Sequence, residues 1–344
     1  MDGTVHSAAE GLKRAGLEPI DLGPKEGLAL INGTQVSTAL ALKGLFNGWA
    51  VFSAALVAGA MSVDAAQGSD SPFLPVVQDV RGQPRQSTVA ATLRDLMAGS
   101  EIRAAHATCD RVQDPYSLRC QTQIMGSYLD LLRFAAAVVG REANAVTDNP
   151  LVFADDGEVL SAGNFHAQPI AHASDILALA LAEPGSMSER RVQLLTNTTM
   201  SGLPAFLIPD PGLNSGFMAA QIVAAALAAE NKFWRHRRAP AACRRRPIRK
   251  TMSAWPRMRP RRLGDMTRNA AAIVAIELLA AAQGIDLRRP LKTSPRLAEA
   301  HAAVRKLSPF MDIDRSISGD IDALVDFILA GGFEGLAPVD LSAG

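Results

Sequence analysis

Residues 112–120 read Val-Gln-Asp-Pro-Tyr-Ser-Leu-Arg-Cys, and two of their side chains could hold a small anion. Asp114 before Pro115 is a helix-start signal. An Asp at the N-cap accepts a backbone N–H, and a Pro at the first helical position lacks only a donor that would have no helical partner. Tyr116 and Arg119 then stand three residues apart and share a helix face. A guanidinium grips a carboxylate through two parallel N–H bonds, so a phenol beside it completes a candidate cradle for an anionic substrate. An ordinary capped helix with a solvated Arg has the same spacing, and spacing alone favours it.

The elements that must position this pair read as helices. The chain has 344 residues, 48% hydrophobic and 5% aromatic, which is enough for a large core in one large domain or two. Ala and Leu dominate, and long segments lack Gly and Pro, so the expected class is mainly α. Residues 121–144 form a long helix with an apolar stripe of Leu129, Leu132, Phe134, Ala135 and Val138. The most apolar run, 36–63, is interrupted by Lys43 and Asn47 and reads as a buried core helix rather than a membrane span. Residues 217–232 are apolar on nearly every side, which belongs at the centre of a bundle, and 263–283 are similar. A helix is expected to follow the Asn32-Gly33 turn from about Gln35, and shorter helices near 7–15 and over 87–98, 297–307 and 321–329. Residues 67–88 and 202–216 read as loops, and Pro184-Gly185 should stop or kink the helix over 172–183. Two very short strands flank Asp155-Asp156-Gly157, a hairpin signal.

The net charge of +1 implies no particular partner for the whole chain. The three cysteines, Cys109, Cys120 and Cys243, show neither metal-ligand spacing nor a disulfide framework, so a reducing cytoplasm is the expected location. The first residues show no basic and apolar regions of a signal peptide. Residues 233–262 break the pattern: they hold eleven Arg, one Lys and no acidic residue, and without these twelve charges the remainder falls from +1 to −11. One reading is a nucleic-acid or membrane-surface patch, against which stand its scattered prolines, its lack of helical periodicity and its place between two core helices. The preferred reading is a frameshifted segment. A GC-rich coding string for residues 246–260 reads, one nucleotide earlier, Ser-Ala-Asn-Gln-Glu-Asp-His-Val-Ser-Met-Ala-Ala-His-Ala-Ala. The expected organisation is therefore a core over 1–232, an aberrant Arg-rich segment over 233–262, and a C-terminal helical part of the same domain over 263–344.

Several motifs together resemble the histidine ammonia-lyases of the aromatic amino-acid lyase family. They are Glu26-Gly27-Leu28-Ala29-Leu30-Ile31-Asn32-Gly33-Thr34-Gln35, the stretch 112–120, Glu142-Ala143-Asn144 with Asp148-Asn149-Pro150, Gly163-Asn164-Phe165-His166, and Asn214-Ser215-Gly216-Phe217-Met218. The resemblance covers about residues 7–330 except 233–260. It implies a mainly α fold built on a central bundle of long helices, and a homotetramer whose active sites each draw on more than one subunit. It implies elimination of ammonia from L-histidine to give urocanate, with no metal. The electrophile is a methylidene-imidazolone made from the chain's own Ala-Ser-Gly, which activates a substrate whose ammonium leaves reluctantly. Carried over residue by residue, Asn32 would hydrogen-bond the ring or the substrate amine, and Gln113 would support the ring. Tyr116 would assist electrostatics or proton transfer, Arg119 would bind the carboxylate, and Phe165 would pack beside the electrophile.

The departures are as specific as the matches. No Ala-Ser-Gly occurs in the chain. The family's Ala-Ser-Gly, lid tyrosine and substrate-binding histidine fall upstream of the region matching residue 1, so the chain resembles the C-terminal two-thirds of a lyase. The family segment Asn-Gln-Glu-Asp-His falls opposite Ile248-Arg249-Lys250-Thr251-Met252, so Lys250 stands where the family has an active-site glutamate. The expectation is a histidine ammonia-lyase homologue that does not deaminate histidine as this isolated chain. The alternatives are a non-catalytic subunit joining a full-length lyase, a tyrosine or phenylalanine ammonia-lyase or aminomutase, and a nucleic-acid binder acting through 233–262.

Overall fold

The computed structural model describes residues 4–106, 112–236 and 258–340. Cys109, Cys243, Lys250 and most of the Arg-rich segment lie outside the described residues. The chain begins with α1 (Ala8–Ala15), capped by the Ser7 hydroxyl, which accepts the Glu10 N–H at 3.3 Å. Then come α2 (Glu26–Ile31) and α3 (Gln35–Ala65). The stretch 67–88 is not one loop: it holds a 3₁₀ turn, α4 (Pro75–Asp79) and the start of α5 (Pro84–Met97). Pro72, Pro75 and Pro84 stand in the first turns of these helices, where a missing N–H costs nothing, so they mark starts rather than breaks.

After α6 (Glu101–Ala104) come the single turn α7 (Tyr116–Arg119) and the long α8 (Gln121–Ala143). Pro115 occupies the N-cap of α7, one position earlier relative to the helix than the Asp-Pro pattern predicts. The hairpin forms as expected, with β1 (Leu151–Phe153) antiparallel to β2 (Glu158–Leu160). The rest is helical: α9 (Gln168–Leu195), α10 (Thr198–Ser201), α11 (Met218–His236), α12 (Met258–Asp286), α13 (Pro295–Leu307) and α14 (Ser318–Leu329).

Five long helices make the core, and their directions follow from which residues meet. Tyr128 donates its O–H to the Gly48 carbonyl at 3.0 Å, and Gln121 donates to that of Gly59 at 3.4 Å, so α8 runs antiparallel to α3. Gly48 faces Leu181 and Gly59 faces Arg191, so α9 runs parallel to α3. Gly44 meets Leu263 and Gly284 meets Ala65, so α12 is parallel to α3 as well. Gln221 bonds Glu189 and Arg235 bonds Glu183, so α11 returns antiparallel to α9. Both α3 and residues 260–286 of α12 are long and apolar enough to cross a bilayer, and both are mostly buried against other helices.

Three expectations are corrected. Pro184 does not end its helix: α9 runs 28 residues through it. The lost N–H is offset by packing on α3, α8 and α12, with Ile273 lodged at Gly185. Phe134 is 53% exposed, because the inward side of α8 is Leu129, Leu132, Ala135 and Val139. And α11 is not at the centre of this chain. Only its Ala220, Ala224, Ala228 and Asn231 face α9 and α12, while Ile222, Val223 and Phe233 are exposed.

A polar cluster sits inside the bundle. Arg191 and Glu277 are fully buried and paired, with Nη2 to Oε2 at 2.9 Å, and the Ser62 hydroxyl donates to Glu277 at 2.6 Å. Removing one partner strands a charge in a low-dielectric core. Glu277→Leu is therefore expected to cost about 3–5 kcal/mol in a denaturant titration, and the double variant with Arg191→Leu to recover most of it.

Candidate active-site halves at the two ends of one helix

The single turn α7 points Ser117 and Leu118 inward and leaves Tyr116 and Arg119 facing outward. The Arg119 guanidinium lies over the Tyr116 ring, Cζ to centroid 4.7 Å, a cation–π contact that holds it in place. Its Nε is buried without a hydrogen-bond partner, and no carboxylate pairs with it among the described residues. Gln113 and Arg119 line a cleft of about 550 Å³ together with Gln67, Gly68, Asp70 and Arg103. The other charges there are engaged: Arg103 pairs with Asp70 at 2.6 Å, and the Asp114 carboxylate accepts the Ser69 N–H at 2.6 Å. That last bond ties the stretch 112–119 to the loop after α3. The cleft thus presents a guanidinium with donors to spare, which suits a carboxylate.

Beneath the cleft, Asp64 is buried near the C-terminal end of α3 and accepts hydrogen bonds from Ser100 and Thr293. Burial pushes its carboxyl above the usual range, against the pull of those bonds and of Arg103. Its signal in the sequence is an acidic residue closing an apolar run.

Asn32 and Phe165 lie elsewhere. Asn32 is the C-cap of α2, half-buried, its N–H bonded to the Leu28 carbonyl at 2.9 Å. The next residue, Gly33, has φ +85°, and a Cβ there would stand 2.6 Å from the Thr147 carbonyl oxygen. Phe165 is half-buried in the turn before α9. That turn is near Asn32, since Asn164 donates to the Val146 carbonyl and Ala162 to the Asn149 side chain. Asn32 and Phe165 therefore sit at the N-terminal end of α3, whereas Gln113, Tyr116 and Arg119 sit at its C-terminal end. The 31 residues of α3 place these ends about 45 Å apart at 1.5 Å per residue. The sequence names all five residues, but one copy of the chain does not bring them together.

The model of the aromatic amino acid lyase family matches residues 1–306. The chain belongs to the aromatic amino acid lyase family. It is 54% identical over 345 aligned residues to the histidine ammonia-lyase of Rhodospirillum rubrum, covering 99% of this chain and 66% of that protein. It is 53% identical to that of Aromatoleum aromaticum, covering 100% of this chain and 65% of the relative. The chain thus spans just under two-thirds of the length of these curated relatives. Among solved structures, histidine ammonia-lyase from Trypanosoma cruzi superposes with a TM-score of 0.85 at 38% identity, over 97% of this chain and 63% of that one. Tyrosine aminomutase from Streptomyces globisporus gives 0.86 at 33%, over 99% and 69%. The mainly α bundle is the fold of these family members.

Gly33 is the residue that lets the Asn32 turn lie against Thr147. Gly33→Ala is expected to cost about 1–3 kcal/mol through the left-handed backbone and the 2.6 Å approach. The check is a thermal melt, with amide exchange in 26–34 rising more than in α12.

Proposed function

We propose that this chain supplies the residues of a histidine ammonia-lyase site, for elimination of ammonia from L-histidine to give urocanate. The observation that carries the proposal is Arg119, held over Tyr116 in an open cleft with a buried Nε that takes no hydrogen bond among the described residues. In this reading Arg119 receives the substrate carboxylate through two N–H bonds. Tyr116 holds its exposed phenol beside that carboxylate, where it can move a proton. Asn32 hydrogen-bonds the substrate amine, and Phe165 supplies an apolar wall next to it. Gln113, on the cleft rim, supports the ring of the electrophile. The identities near 54% with proteins named histidine ammonia-lyase support histidine over tyrosine or phenylalanine.

The residues of this chain do not fit the family's electrophile in one respect: no Ala-Ser-Gly occurs among the 344 residues, so the chain cannot form that group from itself. No step is assigned through it. The activity therefore requires the tripeptide from outside these 344 residues. A non-catalytic or complementing subunit of a full-length lyase is the second reading that this absence favours.

Homo-oligomerisation, as a tetramer, is part of the proposal. The 45 Å between the half-sites is closed only if Asn32 and Phe165 of one copy meet Gln113, Tyr116 and Arg119 of another. The exposed apolar residues Phe46, Phe134, Ile222 and Phe233 give such an assembly surface to bury. The proposed location is the cytoplasm. The nucleic-acid reading concerns 233–262, most of which lies outside the described residues.

The test is urocanate formation, followed by its ultraviolet absorbance. The purified 344-residue chain alone is expected to show none, and turnover near that of a full-length lyase would sink this part of the proposal. Co-expressed with a full-length lyase whose own carboxylate-binding arginine has been removed, the chain is expected to restore turnover. In that mixed enzyme Arg119→Lys should raise KM for histidine about tenfold or more, because Lys keeps the charge and loses the paired N–H bonds.

A further inference from the structure

The motif Asp148-Asn149-Pro150 has no direct role in the reaction as proposed, and its surroundings assign it one. We infer that the loop over residues 146–150 is a positioning element that fixes Asn32 and Phe165 relative to each other, with Lys25, Asp148 and Asn149 as its latches. The inference rests on the proposed use of Asn32 and Phe165.

The loop joins α8 to β1 and touches both site-bearing segments. Toward Asn32, the Lys25 ammonium donates to Asp148 Oδ2 and to the Pro150 carbonyl, both at 2.5 Å. The Thr34 N–H donates to the Thr147 hydroxyl at 3.3 Å, and Gly33 lies against the Thr147 carbonyl. Asn32 is thus bracketed by latches at Lys25 and at residues 33–34. Toward Phe165, Asn149 Oδ1 accepts the Ala162 N–H at 2.7 Å and the Ser161 hydroxyl at 3.4 Å, and the Val146 carbonyl accepts from Asn164 at 3.3 Å.

The two sides are connected through one carboxylate. Asp148 Oδ2 takes Lys25, while its Oδ1 accepts the Asn149 N–H at 2.7 Å. The path Lys25, Asp148, Asn149, Ala162 therefore runs from one segment to the other through three hydrogen bonds. The Lys25 bond also holds the Asp148 carboxyl below the usual range.

Apolar packing does not do this job. No residue of α2 is buried, and Leu28, Leu30 and Ile31 face outward. Among the described residues, the helix that carries Asn32 is held by polar contacts at its two ends. A helix of six residues without a buried face has no stability of its own. Lys25 moreover adopts φ +74°, a left-handed conformation uncommon outside Gly and Asn, which its paired ammonium helps to hold.

The experiment is amide hydrogen exchange on the 344-residue chain. Lys25→Met should speed exchange about tenfold or more in 26–34, and leave 113–119 and α12 unchanged. Lys25→Arg should keep the wild-type pattern, since it restores the cation and its donors. Asn149→Ala should release 161–167 and leave 26–34 protected. Asp148→Ala, which breaks the path at its middle, should release both. The inference is overturned if Lys25→Met leaves 26–34 as in wild type. It is equally overturned if the loosening spreads evenly to 113–119 and α12, or if Lys25→Arg behaves like Lys25→Met. The measurement involves no turnover. A failure of urocanate formation would remove the proposed reaction alone, and unchanged exchange would remove the latch alone.

Discussion

The stiffness of α3 is the constraint on which the rest depends. From Ala50 to Ala65 every residue is buried, so the helix is covered all round by α8, α9, α12 and α5. A helix with its backbone bonds satisfied internally and its surface packed cannot bend by the amount needed to bring its ends together. Everything with chemical potential therefore hangs on loops at one end or the other. At the C-terminal end, the bond from Ser69 to Asp114 brings 112–119 and its arginine. At the N-terminal end, Thr147 to Pro150 gathers the turns of Asn32 and Phe165. The long helices determine the distance between the half-sites, and short polar contacts determine the shape of each.

Close helix packing makes that stiffness possible, and small residues allow it. A Cβ at Gly44 would stand 2.7 Å from Leu263, and one at Gly126 would stand 2.7 Å from the backbone of Gln86. Seams this rich in Ala and Gly fit well but discriminate poorly between registers, because sliding by a turn replaces one small residue with another. The Arg191–Glu277 pair and Ser62 supply that discrimination. Burying the charges costs desolvation, yet a slipped register would separate them inside the core, which costs more. The pair and Ser62 join α9, α12 and α3 at one level.

The helices were legible in the sequence because periodicity and composition report local structure, as for 121–144 and 263–283. What was not legible depended on neighbours. Pro184-Gly185 predicts a stop or a kink from local rules, but the helix, packed on α3 and α12, continues past it. The apolar character of 217–232 correctly says that the helix wants burial, but one chain covers only its alanine face. Asp114-Pro115 predicts a cap one residue away from the real one, because the Asp carboxylate is drawn to Ser69, 45 residues away in sequence. The site residues Asn32, Gln113, Tyr116, Arg119 and Phe165 were readable as types and motifs. Their separation was not, since no local pattern encodes which end of a bundle a loop occupies. Lys25 gave no signal at all: its partner Asp148 is 123 residues away.

The two half-sites differ in chemistry, and that difference has a consequence for assembly in the proposed reading. The C-terminal end of α3 offers a cation, Arg119, whose neighbours Arg103, Asp70 and Asp114 are already engaged. The N-terminal end offers a side-chain amide and an aromatic ring, Asn32 and Phe165, and the Lys25 ammonium beside Asn32 is already held by Asp148 and Pro150. An amino acid substrate carries one group for each end: its carboxylate suits Arg119, and its amine and ring suit Asn32 and Phe165. Neither half binds the whole molecule. The substrate itself then bridges two copies of the chain, and occupancy stabilises the pairing by mass action, since it binds the assembled form and not the separated one. Affinity for substrate and affinity between copies become one linked quantity, which is the physical reason for a rod-like core that keeps the two halves apart within a single chain.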